Sequence, residues 1–281
     1  MLYKQITTIP QKTIQEKLDL FFKEDDIQND LTSNSFIDKK EIIQADFIAE
    51  FEGVFCGGDI IKNGFSQNVK STVFISDGFK VRPGMKIASI KGAAIEILKK
   101  ERVILNLIQK MSGISSETNI YASKAFRKNI KILDTRKTTP GIRIFEKYAV
   151  QCGGGTNHRF NLAKGIMIKD NHIGANAGIE STLNKIKNQN IPIQVEIDRK
   201  EQLIESLEYN IDAVLLDNME PLEIKECIKI IKKSGKNIFI EVSGGITIKT
   251  LNRFLISGVD AISVGAIIHQ ATFKNIKLQH I

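Results

Sequence analysis

The segment 133–159, LDTRKTTPGIRIFEKYAVQCGGGTNHR, places Arg136, Lys137, Arg143, Lys147, His158 and Arg159 close together in the chain. A planar guanidinium grips a carboxylate or phosphate through two parallel hydrogen bonds, and an ammonium adds a movable point charge. Such a cluster, interrupted by a triple glycine, suits a small polyanionic ligand. A solvated loop with ordinary charges is the plain alternative. His158, between Asn157 and Arg159, adds either a hydrogen-bond donor to an anionic ring substituent or an acid/base group. His172 is a candidate for orienting its loop, while His269 and His280 carry no argument.

Two further patterns complement these cations. Ser243-Gly244-Gly245 follows the apolar run IFIEV, and Gly265-Ala266 follows AISV. Glycine lets phosphate oxygens approach backbone N–H groups, and two late strand-to-helix loops of this kind often hold a phosphate in barrels. A plain turn explains either glycine site alone, but explains the ordered pair less well. Glu196 and Asp217 end neighbouring apolar runs, where both can reach a Mg2+ ion that keeps waters and bridges phosphate oxygens. A salt bridge to a nearby cation is the equally weighted alternative for either one, and Asp198 is a weaker candidate for the same role.

These groups need a frame that brings them together. Apolar runs at Ile130-Ile132-Leu133, Ile166-Met167-Ile168, Ile193-Val195-Ile197, Ala213–Leu216, Ile238-Phe239-Ile240 and Ala261-Ile262-Val264 alternate with helical segments, the pattern of parallel strands covered by helices. Polar groups follow every run: Asp134 and Arg136, Lys169 and Asp170, Glu196 and Asp198, Asp217 and Asn218, Ser243 to Gly245, and Gly265. Only a barrel gathers all such ends at one mouth. The expectation is an irregular (β/α) barrel with fewer than eight strands over residues 112–270, with a helix at Thr247 to Leu255.

The first part of the chain has another rhythm. Residues 1–24 predict one amphipathic helix through Ile14, Leu18, Phe21 and Phe22, and residues 41–92 alternate with glycine punctuation as antiparallel strands do. Ala93 to Met111 turns helical. These features predict a separate small β-rich domain over 1–111, tied on by this helix, with the tail 271–281 free to return to it.

Composition narrows the partners. The chain has 281 residues, 42% hydrophobic and 26% charged, with 40 Lys+Arg against 32 Asp+Glu and a net charge of +8. No compact basic block, zinc finger or RNP-type aromatic pattern indicates nucleic acid. No apolar run approaches a membrane span and no signal-peptide core opens the chain, so the expected location is cytoplasmic. Cys56, Cys152 and Cys227 lack CxxC spacing and predict reduced packing thiols rather than a disulfide framework or zinc site.

Together the motifs resemble the quinolinate phosphoribosyltransferase family. The similarity is carried by DLTS at 30–33, ERVILNLIQKMSGIS at 101–115, DTRKTTPGIRIFEKYAVQCGGGTNHR at 134–159, IKDNHI at 168–173, VEID at 195–198, LLDNM at 215–219, EVSGGI at 241–246 and GVDAISVGAIIH at 258–269. The resemblance implies phosphoribosyl transfer from phosphoribosyl pyrophosphate to quinolinate with decarboxylation, yielding nicotinate mononucleotide, pyrophosphate and CO2 in NAD biosynthesis. It implies an N-terminal α+β open-sandwich domain, an irregular (β/α) barrel with fewer than eight strands, a homodimer and Mg2+ as cofactor.

Residue by residue, the resemblance assigns Thr135, Arg136, His158, Arg159 and Lys169 to substrate, with Arg102 contributed across the dimer. It places Lys137 at the phosphoribosyl donor, Glu196 and Asp217 at its metal and ribose hydroxyls, and Ser243, Gly244, Gly245, Gly265 and Ala266 around its 5-phosphate. Arg143 and Lys147 then fall to a helix surface. Two departures stand out: Gln194-Val195-Glu196 replaces the family's usual EVE, and Ile268 occupies the hydroxyl position of the usual GALTHS. Molybdenum-transport-associated relatives and a non-catalytic metabolite-binding barrel are the competing readings.

Overall fold

The computed structural model describes residues 2–176, 178–186 and 189–281. Its strands, in chain order, are β1 (Ile42–Ala49), β2 (Gly53–Val54), β3 (Lys70–Val73), β4 (Lys80–Val81), β5 (Lys86–Ala93), β6 (Lys131–Leu133), β7 (Ile166–Ile168), β8 (Ile193–Ile197), β9 (Ala213–Asp217), β10 (Phe239–Ser243), β11 (Ala261–Ser263) and β12 (Ile276–His280). They distribute over two compact units.

One unit comprises Ile6–Asn119, Thr139–Gly154 and Gln270–Ile281. Its antiparallel sheet runs β12-β1-β5-β3, beside a two-stranded β2-β4 ribbon. The alternation of Ala45, Phe47 and Ala49, all fully buried, gives β1 one face for the core. The C-terminal β12 pairs with β1 from Ala45↔His280 to Ala49↔Ile276, so the tail returns to this sheet.

The other unit comprises the N-terminal residues through Gln5, with Ile120–Thr138 and Gly155–His269. Six parallel strands form one sheet in the order β6-β11-β10-β9-β8-β7. This is the strand set expected of a barrel with fewer than eight strands. Every residue of β8 is buried, as befits a parallel strand covered on both faces. In-register pairing sets Ser243 of β10 beside Asp217 of β9, so chemistry at neighbouring strand ends lies at one level. Beyond β6, Thr156 forms a parallel bridge to Leu133 and fixes the chain just before His158.

Three helical expectations need correction. The first helix begins at Gln11, not residue 1, because Pro10 caps it, and a proline biases the residue before it toward extended backbone. The helix expected over Ala93 to Met111 runs without interruption from Ala94 to Phe126. The helix expected at Thr247 to Leu255 shrinks to Leu251–Phe254. There the Thr250 hydroxyl accepts the Thr247 N–H at 3.0 Å, and the Thr247 hydroxyl accepts the Thr250 N–H at 3.3 Å, local bonds that compete with helix formation. Among the described residues no helix is long and apolar enough to cross a membrane.

Candidate active site

The barrel unit carries a buried polar network at the heart of its sheet. Asp134, directly after β6 and wholly buried, accepts the His158 N–H at 2.8 Å through Oδ1 and the Asn157 side-chain amide at 2.7 Å through Oδ2. A strand-end carboxylate thus clamps the Asn157-His158-Arg159 segment from below. His158 Nδ1 accepts the Arg159 main-chain N–H at 2.7 Å, which leaves the ring proton on Nε2. That nitrogen faces Gln194 Oε1 at 3.2 Å and Glu241 Oε2 at 3.4 Å.

Gln194 ties the network together. Its Oε1 also accepts the Tyr3 hydroxyl at 3.0 Å, and its amide donates to Glu241 at 2.8 Å. The Tyr3 ring packs on the imidazole with centroids 4.6 Å apart. Burial works against charge on Glu241, but nearby His158 and hydrogen bonds from His158, Gln194 and Ser263 outweigh it and hold the carboxyl below its usual range. Burial and the charge of Glu241 push the Tyr3 phenol well up, so it remains a donor.

Both ring nitrogens of His158 have partners inside the barrel, and the imidazole braces the main chain of Arg159. Arg159 is buried and donates from Nη1 to the Gly165 carbonyl at 2.8 Å. Burial lowers its pKa, Tyr3 partly offsets this, and the like charge of Arg136 lowers it further. Two guanidiniums held near enough to repel form a natural receptor for an anion.

The opposite charge collects on β8 and β9. Lys169 Nζ is hydrogen-bonded to Glu196 Oε2. Burial raises the Glu196 pKa; Lys169 opposes the shift, and the like charges of Asp217 and Asp198 add to it. Asp217 Oδ2 accepts the Asn218 side-chain amide at 2.7 Å. Asn218 has a left-handed backbone (φ 54°), and its N–H reaches the Ser243 carbonyl at 3.0 Å, linking the ends of β9 and β10. Gly244, at φ 106°, packs directly on Asn218.

Lys137 and Gly265 also meet: a β-carbon on Gly265 would lie 3.0 Å from Lys137 Cδ and 3.4 Å from the His269 ring. The Thr135 hydroxyl accepts the Lys137 N–H at 3.0 Å, fixing the turn after β6. Ala266 opens the short helix Ala266–His269 after β11.

Lys147 contradicts its assignment to a helix surface. It is completely buried, as is Glu146, within helix Arg143–Cys152, whose Phe145, Ala149 and Val150 are also buried. Arg143 is half-buried. Glu146 accepts both the N–H and the hydroxyl of Thr139 at 2.8 Å. Tyr3, Gln194 and Glu241 had no expected role in the site, and Asp134 and Asn218 were expected only as polar groups at strand ends. Polar residues at alternate positions of IQVEI and FIEVS carried a signal for Gln194 and Glu241, since a strand's alternate residues share a face.

Both halves of the chain match family models: residues 30–112 the quinolinate phosphoribosyl transferase N-terminal domain, and residues 114–279 its C-terminal domain. The chain belongs to the quinolinate phosphoribosyltransferase family. It is 41% identical over 271 residues to a probable nicotinate-nucleotide pyrophosphorylase [carboxylating] of Bacillus subtilis, covering 94% of this chain and 92% of that one. The solved nicotinate-nucleotide pyrophosphorylase of Francisella tularensis superposes with a TM-score of 0.92 at 34% identity, covering 99% of each chain. The Ehrlichia chaffeensis enzyme of the same name gives 0.89 at 35%, covering 95% of this chain and 98% of that one.

Within this family frame, Lys169→Met is expected to raise the Glu196 pKa further, because it removes the group that opposes burial. Carboxyl-carbon NMR titration reads the shift directly. A Glu196 titration unchanged by the substitution would disprove the coupling.

Proposed function

We propose that the chain joins the ring nitrogen of quinolinate to C1 of phosphoribosyl pyrophosphate, releasing pyrophosphate, and then releases the ring 2-carboxylate as CO2 to leave nicotinate mononucleotide. The observation that carries this reading is the meeting, on one strand set, of the buried Arg159, held by the Gly165 carbonyl, with the Lys169–Glu196 pair and Asp217 at the neighbouring strand end. Quinolinate brings two carboxylates, and the transferring ribosyl carbon brings developing positive charge.

Arg136, Arg159 and Lys169 hold the two ring carboxylates, with Arg102 reaching in from the partner of a homodimer. His158 and Thr135 act at one remove, His158 through the Arg159 backbone and Thr135 through the Lys137 N–H. Lys137 approaches the departing pyrophosphate. Ser243, Gly244 and Gly245, with Gly265 and Ala266, surround the 5-phosphate. Glu196 and Asp217 face the ribosyl carbon and stabilise its oxocarbenium-like charge. No protein nucleophile is needed, and the pyridinium nitrogen accepts the electrons left when CO2 departs. Exclusion of water guards the donor against hydrolysis.

Glu196 and Asp217 suit a magnesium ion: they sit at the ends of the neighbouring strands β8 and β9, and burial, with the charge of Asp217 adding to it, raises the Glu196 pKa, a cost that a hard cation would relieve. Glu196 and Asp217 would hold such an ion, and when bound it would supply charge neutralisation for pyrophosphate. A cytoplasmic setting goes with this reading. Incubating the protein with quinolinate, phosphoribosyl pyrophosphate and magnesium should yield equimolar CO2 and nicotinate mononucleotide. Absence of both from folded protein would overturn it.

The shared site has its own test. Mixing an Arg102→Ala chain with an Arg159→Ala chain should restore about one intact site in each mixed dimer, since a symmetric interface exchanges the same residue both ways. No recovery above the two separate variants would place Arg102 outside the neighbouring site.

A further inference from the structure

Three side chains distant in sequence meet in the unit that contains β1 to β5. Cys56 precedes the helix Gly58–Asn63, Asp77 lies between β3 and β4, and Cys152 ends the helix Arg143–Cys152. Both sulfurs and a carboxylate oxygen all lie within 4.8 Å of one another. We propose that Cys56, Asp77 and Cys152 form a binding site for a borderline-soft divalent cation of the zinc class, held by two thiolates and one carboxylate.

The geometry suits such an ion. With metal–sulfur bonds of about 2.3 Å, tetrahedral coordination sets two sulfurs about 3.8 Å apart, a spacing inside the 4.8 Å that spans the three ligand atoms. Thiolates select zinc-like ions over magnesium, which separates this site from the carboxylates on β8 and β9. Among the described residues it is the one group of three such ligands close enough to share an ion.

The carboxylate is already oriented by a surrounding shell. Gly57 and Gly58 donate their N–H groups to Asp77 Oδ1 at 2.9 and 2.8 Å, and the Tyr148 hydroxyl donates to Oδ2 at 2.9 Å. Oδ2 keeps a lone pair for a metal, and a ligating carboxylate held by outer hydrogen bonds is the usual arrangement in metal centres. Tyr148 stays protonated, its pKa pushed up first by burial and then by Asp77. Cys56 is fully buried while Cys152 is partly exposed, which gives an ion a way in. Binding forms two metal–sulfur bonds and releases the two thiol protons to solvent. Three protein ligands leave a fourth position for water.

Cadmium is the probe. The reduced full-length protein, freed of reductant without exposure to air, should retain one Cd2+ per chain by equilibrium dialysis and develop the ultraviolet thiolate-to-cadmium absorption. Cys56→Ser, Cys152→Ala and Asp77→Asn should each weaken retention at least about tenfold, and Tyr148→Phe about tenfold as a loss from the outer shell. Cys227→Ala, whose thiol packs against Met219, should leave it unchanged. If Cys56→Ser does not fold, Cys152→Ala and Asp77→Asn decide. Absorption that persists in those two variants, or none in the parent protein, would overturn the site. So would a free-thiol count falling from three to one before metal is added, since that marks the pair as a disulfide.

Discussion

Arg159→Ala is expected to weaken quinolinate binding by about 2–4 kcal/mol, roughly 30- to 1,000-fold in dissociation constant. The size follows from burial: the guanidinium is 8% exposed, and a substrate carboxylate facing it there would otherwise lie desolvated and unpaired. Part of the loss is indirect, because Arg159 also anchors the Gly165 carbonyl ahead of β7. Arg159→Lys separates the two contributions: it keeps the charge, loses the fork, and should recover only part of the affinity. The exposed Arg136 should show a smaller loss when truncated, because solvent screens its contact with a carboxylate. Calorimetric titration with quinolinate measures all three variants, and an unchanged affinity in Arg159→Ala would remove it from the binding site.

Gly244→Ala is expected to cost about 2–4 kcal/mol of stability and to impair binding of the phosphoribosyl donor more than that of quinolinate. Two penalties combine. A residue with a β-carbon pays about 1–2 kcal/mol at a left-handed backbone angle. The added carbon would also lie 2.3 Å from Asn218 Oδ1 and 2.6 Å from the Asn218 nitrogen, so backbone has to move. Asn218 in turn holds Asp217 by its side-chain amide. Gly245→Ala is the control: at φ 57° with no atom within 4 Å of the new carbon, it pays only the backbone penalty, about 1 kcal/mol. Denaturant unfolding and donor titration on the pair distinguish a displaced Asn218 from a generic loss of glycine freedom; equal effects at both positions would refute the clash.

Much of the architecture was legible because strand periodicity and strand-end polarity are local signals. All six parallel strands coincide with apolar runs in the sequence, and Glu196, Asp217, Ser243 and Gly265 fall at or just beyond their ends as their order implied. What stayed hidden depended on compensation across the fold. Lys147 reads as a surface charge because lysine is seldom fully buried, and nothing in its neighbours along the chain reveals that it is. Tyr3 reads as part of a helix, yet the proline at position 10 releases it to meet Gln194, 191 positions away. The anchoring of His158 was equally hidden: Asp134 holds its main-chain N–H, while Gln194 and Glu241, from strands far along the chain, face its ring.

The replacement of the family's usual glutamate by Gln194 takes its meaning from that same interior. An amide can accept from Tyr3 and His158 while donating to Glu241; a carboxylate at position 194 would face Glu241 with no proton to offer unless one of the two took one up. Substitutions at positions 3, 158, 194 and 241 are therefore expected to be non-additive, because the four side chains share one hydrogen-bonded network. Lineages that exchange one of these side chains are expected to exchange another with it, so that the barrel's interior is inherited as a set.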